Sequence, residues 1–125
     1  MDENSLSHEI IGAAIEVHRV LGPGLLESIY EQALCVELQH RGLQVKCQRE
    51  LPISYKGVLL QGAFRIDVMV EEMVIIEIKA VEKLLAVHEA QLLTYLKLAS
   101  LKLGLLMNFN STVVSNSIRR VVNQL

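Results

Sequence analysis

Asp67, Glu77 and Lys79 are the residues of this chain whose types and spacing can do chemistry. Glu77 and Lys79 close the otherwise apolar run Val74-Ile75-Ile76-Glu77-Ile78-Lys79-Ala80. Residues two apart on a strand point to one face, so the pair shares a surface while Ile76 and Ile78 pack on the other. Asp67 stands on the preceding strand-like segment, and a hairpin through Glu71-Glu72 brings the three residues together. Two converging carboxylates repel each other, and a hard divalent cation such as Mg²⁺ or Mn²⁺, which prefers oxygen ligands, is the usual way to keep both ionised. A lysine beside them positions the attacking water and stabilises charge building on a phosphoryl oxygen. The set suits phosphodiester hydrolysis. The competing reading from spacing is a surface salt bridge between Glu77 and Lys79 at a strand end, which contributes little.

Other candidates lie on helical patterns. His88, Gln91 and Tyr95 fall on one face of a third helix, with Gln91 and Tyr95 one turn apart, where an amide and a phenol can contact a phosphate or a base. The plain alternative is a solvent-facing polar stripe with Tyr95 partly packed, His88 as a surface or capping histidine, and Glu89 and Lys97 solvated. Glu27 and Tyr30 share a face directly after a Gly-Pro-Gly turn. A glutamate in a first helical turn also favours the helix dipole, so stability alone accounts for Glu27. His18 reads as a partly buried histidine at the core edge. Arg41, Arg49, Arg65, Lys83, Arg119 and Arg120 can frame a groove for nucleic acid, but their scatter makes solvated positions the default.

The elements that must position these groups follow from hydrophobic periodicity. Leu6, Ile10, Ala14, Val17 and Leu21 mark a first helix from about Ser5, ended by Gly22-Pro23-Gly24. A second runs from near Leu25 with Leu26, Ile29, Ala33 and Val36, its apolar face broadened by Tyr30, Leu34 and Leu38, to a stop at Gly42. From Val45 the period becomes two, with a hairpin at Lys56-Gly57, and Phe64, Ile66, Val68 and Val70 alternate with the face that carries Asp67. A third helix covers about Val87 to Ala99, Leu103 to Met107 reads as a buried strand, and 117–122 as a last edge strand. The order ααβββ(β)αββ, without repeat or linker, describes a single α/β domain spanning residues 1–125, with a mixed central sheet flanked by helices.

Composition sets bounds. With 125 residues, a net charge of −2 and a pI near 6.1, the molecule has no global positive field, so any nucleic-acid binding must come from a local patch. Cys35 and Cys47 fit neither a disulfide framework nor a zinc spacing and read as buried thiols in a reducing cytosol. No leader or membrane-length apolar run is seen, and a soluble cytoplasmic protein with no membrane partner is expected. A mean hydropathy of +0.35 is high for a small monomer, and a homodimer is the expected cover for part of that surface.

Two stretches carry a resemblance: Gly24-Leu25-Leu26-Glu27-Ser28-Ile29-Tyr30, and the run FRIDVMVEEMVIIEIKAVEKLLAVHEAQLLTYLKLASLKLGLLMNF. They closely resemble the GxxExxY protein family, grouped within the PD-(D/E)xK nuclease superfamily. The resemblance covers nearly the whole chain and implies a restriction-endonuclease-like fold, an αβββαβ core here preceded by an extra N-terminal helix. Asp67 resembles the aspartate of the PD motif, with Ile66 in place of its proline, and Glu77 and Lys79 resemble the ExK pair. Gln91 and Tyr95 resemble the QxxxY motif of RecB-like nucleases, and Glu27 resembles the first-helix glutamate that supplements the metal site in several branches. What this implies is Mg²⁺- or Mn²⁺-dependent cleavage of nucleic acid, DNA ahead of RNA. Asp67, Glu77, the Ile78 carbonyl and Glu27 would hold the metal, Lys79 would orient water, and Gln91 and Tyr95 would steady the substrate or the lysine. The alternatives are a catalytically inactive homodimeric binding or scaffolding module on the same fold, and an enzyme of small phosphorylated molecules.

Overall fold

A computed structural model describes residues 1–125. Three helices, α1 (Glu3–Leu21), α2 (Glu27–His40) and α3 (Ala86–Ala99), flank five strands, β1 (Val45–Tyr55), β2 (Val58–Val70), β3 (Val74–Lys79), β4 (Leu103–Asn108) and β5 (Ile118–Val122). The strands form one sheet in sequence order, in which only the β3–β4 pair, joined through α3, is parallel. Three strands precede α3, so the optional fourth does not form. α1 and α2 cover one face through Leu6, Ile10, Val17, Leu34 and Leu38, against Val74, Ile76, Leu103 and Leu105. α3 covers the other through Leu92 and Leu96, against Ile75 and Leu106. This alternation along β3 and β4 is that of strands buried on both faces. No helix is long and apolar enough to cross a membrane.

Local chemistry sets the ends of these elements. The Asp2 carboxylate accepts from the Ser5 N–H at 2.8 Å and caps α1, a standard N-cap role for aspartate. α2 has no side-chain cap of this kind. Instead the buried Tyr30 hydroxyl accepts from the Leu25 N–H at 3.0 Å and donates to the Gly22 carbonyl at 2.6 Å, while its ring stacks on Phe109 at 4.7 Å. This anchor helps to decide which face of α2 turns inward. Tyr30, Leu34 and Leu38 are fully buried, whereas Leu26 is 73% exposed and Ile29 and Val36 are exposed as well. The line expected to lead the apolar face therefore lies outside. Both lines have helical spacing, and the tyrosine's bonds to the preceding turn help to choose between them.

Two further expectations change. Phe64 and Ile66 pack on the α3 side while Val68 and Val70 pack on the α1–α2 side, so β2 does not keep one apolar face. The switch falls at Asp67, opposite Gln48, where the β1–β2 pairing is interrupted without a change of register and Gln48 takes a left-handed φ of 54°. Cys35 and Cys47 are not free thiols but form a disulfide between α2 and β1. Their types and spacing in sequence carried no sign of this, because the helix and the strand meet only in the folded chain.

Two substitutions test the packing. Tyr30→Phe leaves a part-buried carbonyl and N–H without their partner and should cost about 1 kcal/mol in urea denaturation; an unchanged midpoint would remove the hydroxyl from its anchoring role. At Gly104 an added Cβ would meet the Leu92 side chain at 2.8 Å. Gly104→Ala must then push α3 away from β4, with an expected loss of about 1–3 kcal/mol by the same measurement.

Candidate active site

β2 and β3 pair at Val70–Val74, Met69–Ile75 and Val68–Ile76, and there the ladder stops. The next residues outward are Asp67 and Glu77, facing each other on the α3 side of the sheet. Where a backbone rung would follow, the Asp67 Oδ2 accepts from the Ile78 N–H at 2.9 Å. One strand residue points its N–H and C=O the same way, so the Ile78 carbonyl also looks toward the carboxylates. Glu77 is 6% exposed, and its Oε1 is buried without any hydrogen-bond partner. Burial first, and then the charge and contact of Asp67, push its carboxyl up to about 8, against the opposing pull of Lys79.

Lys79 is half-buried and lies on the same face as Glu77, but the two form no ion pair; the salt bridges of the chain are all elsewhere. The surface-bridge reading is thereby set aside. Tyr95 reaches the same place from α3. It stacks on Phe64 at 4.9 Å, and burial, then the charges of Glu77 and Asp67, raise its phenol above the ordinary value. Gln91, one turn earlier, is exposed. His88 is the cap of its own helix, its Nδ1 accepting from the Leu85 N–H at 3.0 Å. His18 is a buried core-edge histidine, 2.7 Å from the Ser111 carbonyl.

Glu27 is exposed at the start of α2, and its Oε2 accepts from the Ala80 N–H at 3.1 Å, just beyond Lys79. No three His, Cys, Asp or Glu side chains are gathered closely enough to hold a metal together, so the tight pair is Asp67 and Glu77. A buried oxygen without a partner, a second carboxylate facing it and an adjacent carbonyl make an all-oxygen donor set, which fits a hard divalent cation.

Two polar residues near the site escaped the sequence reading. Glu31 accepts a hydrogen bond from the Gln48 side chain, and its carboxyl is raised by burial and by the charge of Asp67. Its only signal was that it stands one turn after Glu27. Asn108 is 4% exposed on β4, opposite Lys79 in the parallel ladder, and its side chain holds the loop at Val81. It looked like the polar end of an apolar strand.

Of the six candidate basic residues, Lys83 is exposed and in no ion pair, and the five arginines have partners. Arg41 pairs with Glu37 and Glu9, Arg49 with Glu72, Arg65 with Glu50, and Arg119 with Glu89, at 2.6–3.2 Å. Arg120 reaches Asn4. These arginines, and Glu89 with them, are held by partners on the surface and are not simply solvated.

The family model of the PD-(D/E)XK nuclease superfamily matches residues 4–121. The crystal structure of SSO0001 is similar with a TM-score of 0.61 and 22% identity, over 78% of this chain and 50% of that one. That likeness is one of fold, and this chain spans about half the length of that protein. Nothing matches among curated proteins. The observed helices and mixed sheet are those of the restriction-endonuclease-like fold expected from the resemblance.

The raised Glu77 carboxyl has a consequence for stability in metal-free buffer. The folded protein keeps this proton up to about pH 8, whereas the unfolded chain releases it near the ordinary 4.5. Between those values the native state holds the extra proton, so stability is full below the lower one and falls as pH rises toward the higher one. The slope is at most about 1.4 kcal/mol per pH unit for one group. Glu77→Gln, neutral throughout, should melt like the wild type at the acid end and above it at pH 8. Parallel melting curves across the window, in EDTA, would mean that Glu77 is ionised in the fold.

Proposed function

This chain belongs to the PD-(D/E)XK nuclease superfamily, and on that premise we propose that it hydrolyses the phosphodiester bonds of nucleic acid, DNA ahead of RNA, with Mg²⁺ or Mn²⁺ at the Asp67–Glu77 pair. The observation that carries this reading is the buried, partnerless Oε1 of Glu77 facing a second carboxylate. Such a group is costly to keep unless something compensates it. Bound there, the cation would neutralise charge on the scissile phosphate.

The chain's own groups do the rest. Asp67, steadied by the Ile78 N–H, and Glu77 present their oxygens together with the Ile78 carbonyl. Glu77 must give up its proton to bind, so affinity for the cation rises with pH. Glu27 supports the site from its edge, through Ala80. The Lys79 ammonium, free of any ion pair, orients the attacking water and stabilises the developing phosphoryl charge. Tyr95 and, at the mouth, Gln91 contact the substrate backbone. Five of the six arginines pair locally, which leaves Arg120 and five lysines outside ion pairs to meet phosphates.

A second reading has its own support. Val20, Leu26, Ile29 and Val36 are exposed on α1 and α2, as a homodimeric binding module on the same fold would require.

Cleavage of labelled single-stranded, double-stranded and branched DNA and RNA in Mn²⁺, Mg²⁺ or EDTA tests the proposal. We expect metal-dependent cutting that falls at least about 10³-fold in Lys79→Ala, with the fold intact by circular dichroism. Calorimetry should show Mn²⁺ binding lost in Asp67→Ala and Glu77→Ala. A wild type that neither cuts nor binds metal supports the binding module; full activity in Lys79→Ala removes the role given to that lysine.

A further inference from the structure

Several polar backbone groups around the end of β3 have specific holders. The parallel ladder closes on the pair Lys79–Asn108, and the Phe109 N–H donates to the Lys79 carbonyl at 2.9 Å. Past that point the side chain of Asn108 continues the sheet. Its Oδ1 accepts from the Val81 N–H at 3.1 Å, and its Nδ2 donates to the Val81 carbonyl at 2.9 Å. The same Oδ1 accepts from the Asn110 N–H at 3.2 Å, which fixes the orientation of the carboxamide. A buried amide in an otherwise apolar strand is costly unless its hydrogen bonds are made, and here two of the three go to one residue two positions after Lys79, whose carbonyl the Asn110 side chain also reaches at 3.4 Å.

We propose that Asn108 is a positioning residue: by gripping both backbone groups of Val81 from β4, it sets where β3 ends and so aims the Lys79 side chain at Asp67 and Glu77. This rests on the hydrolytic role given above to Lys79. Asparagine suits the task because it offers a donor and an acceptor at one short reach. Aspartate lacks the donor when ionised, and leucine lacks both. Ala80, between Lys79 and Val81, is tied separately to Glu27, so the two side chains hold adjacent peptide units from opposite sides of the loop.

The test compares wild type, Asn108→Ala and the nearly isosteric Asn108→Asp, which keeps the fold if the alanine variant does not. Lysines are labelled by ¹³C reductive methylation, and the Lys79 resonance is identified by its loss in Lys79→Arg. Beside two carboxylates and the Tyr95 ring, that resonance should stand apart in the wild type and collapse onto the solvent-exposed lysines in both Asn108 variants. In the same variants kcat should fall about 10- to 100-fold, as for a catalytic group displaced by roughly 1 Å, while KM and the Mn²⁺ dissociation constant stay within about twofold. A Lys79 resonance that does not move overturns the proposal, whatever kcat does, because any loss would then come from a general structural effect. A shifted resonance in a protein whose wild type cuts nothing upholds the positioning and removes the hydrolytic reading instead.

Discussion

The structure is organised around two carboxylates that meet where a sheet comes apart. β2 and β3 are ordinary antiparallel neighbours as far as Val68 and Ile76, and one step further the backbone rung is replaced by the Asp67 side chain on the Ile78 N–H. There Glu77 faces Asp67 from β3, a strand buried at every position but its last, and keeps one carboxylate oxygen without a partner. Burial and repulsion both favour a proton on Glu77.

Holding this tension requires a stiff surround. On one side Tyr30 ties the Gly-Pro-Gly turn to α2 and stacks on Phe109, which places Glu27 against Ala80. On the other, α3 lies close enough over β4 that Gly104 has no room for a side chain, and this approach carries Tyr95 to the carboxylates. Across the sheet, Gln48 breaks the regular pairing opposite Asp67 and bonds to Glu31. On either side of Asp67 the apolar residues of β2 pack on opposite faces of the sheet. Each device is local and modest in energy, yet all converge on one strand end.

The charge pattern separates site from surface. Four arginines are occupied by glutamates, in pairs that are partly exposed and weakly stabilising. Lys79 is the contrasting case, a cation kept without an ion pair beside two carboxylates.

Much of this was legible from the chain alone. The ends of the helices, the type of each strand and the pairing of Asp67 with the Glu77–Lys79 step follow from periodicities of two and three to four residues and from turn chemistry, all of which act between near neighbours. The turns at Lys56-Gly57 and Glu71-Glu72, with positive φ at all four residues, belong to the same local order. What stayed hidden depends on partners distant in sequence. The inward face of α2 is tied to a hydroxyl bonding to the turn before it, the change of face along β2 falls where the pairing with β1 is interrupted, and the disulfide was settled by a helix meeting a strand. The same holds for Asn108 gripping Val81, Glu31 near Asp67, and arginines claimed by glutamates up to 32 positions away. Spacing along a chain specifies which residues can share a face, but burial and hydrogen-bond partners are properties of the packed whole, and they turn two acidic residues and a lysine into one site.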